Sequence, residues 1–257
     1  MILRRLTTAL RKQDWFTVVI ETLIVVLGVF LGIQLGNWNA ARADDARAQI
    51  YLQRIADDLT EEIKIYEDRI AFWRQVSDNG MVVLDQAAGG EGLHDPWEIL
   101  LAYFQASQVA EFYPVNSTFE ELKSAGDLGL IRDADLRSEL STYYAYPGSE
   151  SLRERPRYRE HVRGIIPVRL QLYIWTNCYQ TDGVRQALKS CPSPVEDAEI
   201  QQVVDRLRAN QQLTEELHYW ISGQEVAILI VRQSVATAHR LRDELVARLG
   251  EGDGTTQ

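Results

Sequence analysis

Residues 16–35 read FTVVIETLIVVLGVFLGIQL, twenty positions with a single ionisable side chain, Glu21. As an α-helix this run is about 30 Å long, which matches the hydrocarbon thickness of a bilayer. No polar stripe interrupts it, so it lacks the amphipathic pattern of a helix lying on a soluble core. Trp15 and Trp38 bracket the run, about 34 Å apart along a helix, where an aromatic belt meets both interfaces. The segment reads as a transmembrane helix over 15–38. A cleavable signal peptide is the rival reading, because Ala41-Arg42-Ala43 has a small-x-small form. The apolar run is longer than the roughly 7–15 residues of a signal core, and a carboxylate is out of place in one.

Gly28, Gly32 and Gly36 recur every four residues inside this helix. At about 100° per residue they fall within about 60° of Glu21, while Gln34 and Asn37 lie on the opposite side. Small residues at this spacing let two helix backbones approach closely. A carboxylate on the same face is costly in lipid and is expected to meet a partner or a polar path. Glu21 is also only about 9 Å past Trp15, within reach of the headgroups. The expectation is a helix that packs against another membrane helix, either a second copy or another inner-membrane protein.

Orientation follows from basic residues. Arg4, Arg5, Arg11 and Lys12 precede the anchor, whereas only Arg42 and Arg47 follow closely. The positive-inside rule then places residues 1–14 as a cytoplasmic tail and the remainder in the periplasm of a bacterial inner membrane. In that oxidising space Cys178 and Cys191, the two cysteines of the chain, are a plausible disulfide, whereas in a cytosol they would be thiols. A net charge of −10 argues against nucleic acid as a partner.

Beyond the anchor, Leu52, Ile55, Leu59, Ile63, Tyr66, Ile70 and Trp73 recur at spacings of three and four, predicting a stalk helix over 39–80 with Asp78-Asn79-Gly80 as its stop. No breaker separates it from the anchor. Asp57, Asp58, Glu61 and Glu62 read as a solvated face, with divalent-cation binding as the sharper alternative. Residues 81–250 are expected to form an all-α bundle of long antiparallel helices, followed by a disordered tail over 251–257. Helices are predicted from Pro96, from a Ser117/Glu120 capping box to Gly126, from an Asp133 cap, over PVEDAEIQQVVDRLRAN and over QLTEELHYWISGQEVAILIVRQSVATAHRLRDELVARLG. VAILIV over 226–231 is too short to span lipid and is expected at the centre of the bundle core. Tyr143, Tyr144 and Tyr146 are expected to pack with one wet edge, or else to mark a ligand surface. Six arginines within 153–169 suit either a helix face balanced by neighbouring glutamates or contact with lipid headgroups or an acidic partner. Strand and hairpin signals are nearly absent.

Catalytic patterns are missing from the sequence: no G-x-S-x-G, phosphate loop, dinucleotide fingerprint or H-E-x-x-H occurs. Glu215-x-x-His218 has the form used in di-iron bundles, but its only other match, Glu91-x-x-His94, falls in a glycine loop. No catalytic residue, metal or cofactor is therefore expected.

The anchor pattern W-x(5)-E-x-L-I-V-V-x-G-x-x-x-G-x-Q-x-x-N-W-N, carried here by Trp15, Glu21, Gly28, Gly32, Gln34, Asn37, Trp38 and Asn39, resembles that of a large family of bacterial single-span inner-membrane proteins with a domain of unknown function. TFEELKSAGDLGLIRDADLRSELSTYY, residues 118–144, is similar to that family's second signature. The two stretches cover about a fifth of the chain. The resemblance implies a Gram-negative single-span protein with an all-α outer domain, and it implies no activity. Three functional expectations follow. The first is a non-enzymatic interaction protein that self-associates or serves as an accessory subunit. The second is a subunit of an ion-driven or transport complex using Glu21. The third is a periplasmic ligand-sensing domain.

Overall fold

A computed structural model describes residues 15–90, 95–110, 114–145, 155–183 and 185–253. Among these the chain is all-α apart from one small hairpin. The helices are α1 (Trp15–Ala87), α2 (Pro96–Ala106), α3 (Ser117–Ser124), α4 (Ala134–Ala145), α5 (Arg157–Ile165), α6 (Val168–Asn177), α7 (Asp197–Arg208) and α8 (Gln211–Asp253), with a 3-10 turn at Asp127–Leu130. The described residues fall into two separate units, one before and one after the boundary between Tyr51 and Leu52.

The first unit contains the apolar run as uninterrupted helix, long and apolar enough to cross a membrane. The second unit is the bundle. Here the period-3.6 stripe of α1 is buried as its spacing predicts. Ile55, Leu59, Ile63, Tyr66, Ile70 and Trp73 all lie in the core, which also takes in Phe72, Val76 and Val83. The helix does not stop at Asp78-Asn79-Gly80 but continues to Ala87. The physical reason is tertiary. A Cβ on Gly80 would sit 2.3 Å from Ile221 Cδ1 of α8, so the glycine permits close helix packing rather than ending a helix. Asn79 donates its side-chain N–H to Gln75 O at 2.6 Å within the same helix. The stop comes at Gly89, whose φ of 83° suits glycine. Gly80→Val should overpack this crossing and lower the stability of the bundle by about 1–3 kcal/mol, readable by denaturant unfolding.

Cap chemistry explains the next helices. Asp95 accepts the Trp97 N–H at 2.8 Å, with Pro96 in the first turn. The Ser117/Glu120 capping box does not form. Ser117 is already helical, and the Thr118 N–H is accepted by Asp58 of α1 at 3.1 Å. A carboxylate from a neighbouring helix thus satisfies an orphan donor that the local sequence would otherwise cap. The α3 exit at Gly126 and the Asp133 cap are as read. Gly126 has φ 76°, and Asp133 accepts from the N–H groups of Asp135 and Leu136 at 2.9 and 3.1 Å. These bonds and Arg248 hold the Asp133 carboxyl below its usual range.

One correction concerns strands. Tyr179–Thr181 and Gln186–Leu188 pair as an antiparallel hairpin around Asp182-Gly183, with Gly183 at φ 99° and Asp182 accepting the Arg185 N–H at 2.7 Å. The flanking runs, YQT and QAL, are too short and too polar to show alternation. Cys178 and Cys191 are joined in a disulfide at its base, with Cα atoms 5.2 Å apart. The second correction concerns VAILIV. Ala227, Ile228 and Val231 are buried, while Val226, Leu229 and Ile230 face outward, because six consecutive side chains point all round a helix and cannot all turn inward. The predicted tail shortens as well: α8 reaches Asp253, and 254–257 lie outside the described residues.

Candidate functional site

Two features carry functional information, one in each unit. In the first, the helix presents apolar side chains on all sides. The large ones from Val19 to Leu35 are 40–64% exposed. Glu21, Gly28, Gly32, Gly36 and Trp38 are exposed too. A Cβ on any of the three glycines would meet nothing within 4 Å, so the backbone along that face is open to approach. The Arg42 guanidinium lies 6.0 Å from the Trp38 ring centroid, a cation–π contact. Trp15 is helical, and its side chain lies outside the described set, as do residues 1–14 with their four basic side chains.

The second feature is a buried carboxylate. Glu62 is 1% exposed, not part of a solvated acidic face. The other acids of that run have separate tasks. Asp57 accepts from Gln53 at 3.0 Å, Asp58 caps α3 and Glu61 pairs with Lys64 at 3.2 Å. Glu62 instead accepts the Tyr143 hydroxyl of α4 at 2.6 Å. Burial raises its pKa above the usual glutamate value, and hydrogen bonds from Tyr143, the Val115 backbone and Tyr66 oppose that rise without cancelling it. Burial, followed by the Glu62 charge, pushes the Tyr66, Tyr143 and Tyr144 phenols far above the usual tyrosine value. Tyr144 is buried and stacks on Phe119 at 4.6 Å, so it belongs to the core. Tyr143 is half-buried; Tyr146 is outside the described residues. Above Tyr66 and Tyr143 a cleft of about 580 Å³ opens between α4 and α8.

Sequence reasoning missed Glu62 although a signal exists. On a helical wheel Glu62 lies within about 20° of Ile55 and Trp73 on the buried stripe, whereas Glu61 points roughly opposite.

The arginine cluster also departs from expectation. Arg169 pairs with Glu199, as a balanced face would have it. Arg159 and Arg163, however, both turn to Ser107, donating to its carbonyl at 2.8 Å and its hydroxyl at 3.1 Å. The Arg163 guanidinium also lies 3.9 Å from the Phe104 ring centroid. Burial, then the neighbouring Arg159 charge, pushes its pKa down to about 9. These two arginines are structural props for the α2 exit rather than a solvated patch. Arg153 lies outside the described residues.

Among the described residues no group of three histidine, cysteine, aspartate or glutamate side chains is arranged to hold a metal ion. Glu215 and His218 are both exposed on α8, and Glu91 and His94 are outside the described set. His161 Nδ1 meets Glu216 at 2.8 Å. Comparison of the chain with protein-family models, curated proteins and solved structures finds no match.

Proposed function

We propose that this chain is a non-enzymatic bacterial inner-membrane protein that acts by association. Residues 15–38 would form its single span, and the helical bundle would stand in the periplasm. The observation that carries this reading is the first unit: an apolar helix of membrane length, exposed all round, with an open glycine row on the same face as its one carboxylate. Such a surface is stable only in lipid or against another helix. The disulfide supports a location outside the cytosol, and the excess of Lys and Arg before the anchor supports the same orientation. The likeness of the anchor to the single-span family points the same way.

The partner helix is a second copy or another inner-membrane protein. Sedimentation equilibrium of the full chain in mild detergent, supplemented with its membrane extract, tests the glycine face. Gly28→Leu with Gly32→Leu should weaken association at least tenfold, or about 1.4 kcal/mol. Leu23→Ile with Phe30→Leu, on the far side of the helix, should leave it intact. Equal association in both variants would remove the glycine row from the account. Glu21→Gln should preserve assembly. Loss of a proton-linked phenotype in that variant would favour an ion-driven complex instead.

A further inference from the structure

We propose that the cleft between α4 and α8 binds a neutral hexose ring, either free or at the end of a glycan. The argument starts at its floor. The hydroxyl of Tyr143 is turned inward to the buried Glu62 at 2.6 Å, and Tyr66 hydrogen-bonds into the same buried cluster. What these residues offer the cleft is therefore mainly aromatic carbon surface, most of it from the half-buried Tyr143, because Tyr66 is only 5% exposed. Glu62 acts as the anchor that holds both rings in place.

The walls set short polar side chains around one apolar residue, Ile230 of α8. Ser138 and Thr142 come from α4, and Gln233, Ser234 and Thr237 from α8. Ser234 and Thr237 donate their hydroxyl protons back to the carbonyls of Ile230 and Gln233 at 3.4 and 3.0 Å. Their oxygen lone pairs remain as acceptors, while the Gln233 amide supplies both donor and acceptor. The charged groups in the lining are Glu139 and Arg240, which pair with each other at 2.6 Å. Their charges offset, so the lining selects no ionic ligand.

Aromatic rings below and a mixture of donors and acceptors on the walls, without net charge, match one ligand chemistry. A pyranose ring offers a C–H face that packs on an aromatic surface and a rim of hydroxyls that both donate and accept. A hydrocarbon would satisfy neither the Gln233 amide nor the free lone pairs of the wall hydroxyls, and an ion would find no opposing charge. The volume of about 580 Å³ lies within the range of roughly 300–1,000 Å³ found for small-molecule sites and leaves room for one further sugar.

The test is saturation-transfer NMR on the full-length protein in phosphatidylcholine nanodiscs, which avoids sugar-based detergents. The probes are D-glucose, D-galactose, N-acetyl-D-glucosamine, maltose and cellobiose. At least one should receive saturation on its ring C–H protons. That signal should fall at least fivefold in Thr142→Trp, which fills the cleft from an exposed position on α4. Gln233→Ala, exposed on α8, should cause a similar fall if the tryptophan variant fails to fold. A disaccharide preferred tenfold over its monosaccharide would support a glycan end, and equal binding would support a free sugar. No transfer to any probe, or transfer unchanged in folded Thr142→Trp or in Gln233→Ala, would overturn the proposal.

Discussion

Removing the disulfide with Cys178→Ser and Cys191→Ser should destabilise the bundle by about 3 kcal/mol, the loop-closure entropy expected for a bridge of this span. The thirteen-residue separation encloses the hairpin, which is only three residues deep on each side and would be marginal alone. The bridge preserves a set of long-range contacts. Trp97 donates to Cys191 O at 2.7 Å, and Gln105 donates to Lys189 O at 3.1 Å. Arg69 of α1 donates to Gln186 at 2.6 Å, and Gln75 accepts the Leu188 N–H at 2.8 Å. Denaturant unfolding with and without reductant reads the effect. A wild-type midpoint unmoved by reductant would show that these contacts, and not the bridge, hold the hairpin.

The second large effect concerns Glu62. Glu62→Ala removes the acceptor for Tyr143, leaves a cavity under the cleft and should cost about 3 kcal/mol. Glu62→Gln keeps the shape and an acceptor, and its effect is seen in pH dependence. Because burial raises the folded-state pKa of Glu62, the native state binds its proton more tightly than the unfolded chain. Its contribution is fully present below the unfolded value of 4.5 and is lost as pH rises through the higher folded value. The wild type should therefore lose stability over that window relative to Glu62→Gln, as measured by unfolding at a series of pH values. Parallel pH profiles for the two proteins would contradict the assignment of Glu62 as a buried proton-holding carboxyl.

The features legible in the sequence were those written locally and periodically. The apolar helix shows in residues 16–35 alone, the buried stripe of α1 in the spacing from Ile55 to Trp73, and the α2 and α4 starts in Pro96 and Asp133. What escaped depended on contacts far along the chain. Gly80 resembles a helix stop until Ile221 is placed against it. Asp58 resembles surface charge until the α3 terminus arrives. Arg159 and Arg163 resemble a basic face until Ser107 collects them. The hairpin escaped because its Asp-Gly turn joins strands too short to alternate. The cleft draws its floor from α1 and its walls from α4 and α8, so no single segment announces it.

Native mass spectrometry of the full-length protein, gently extracted from its own membrane, tests the central claim most directly. The account predicts a homo-oligomer or a complex with a second inner-membrane protein, in either case dissociated by Gly28→Leu with Gly32→Leu. A bare monomer under those conditions, with no co-purifying membrane protein, would contradict it.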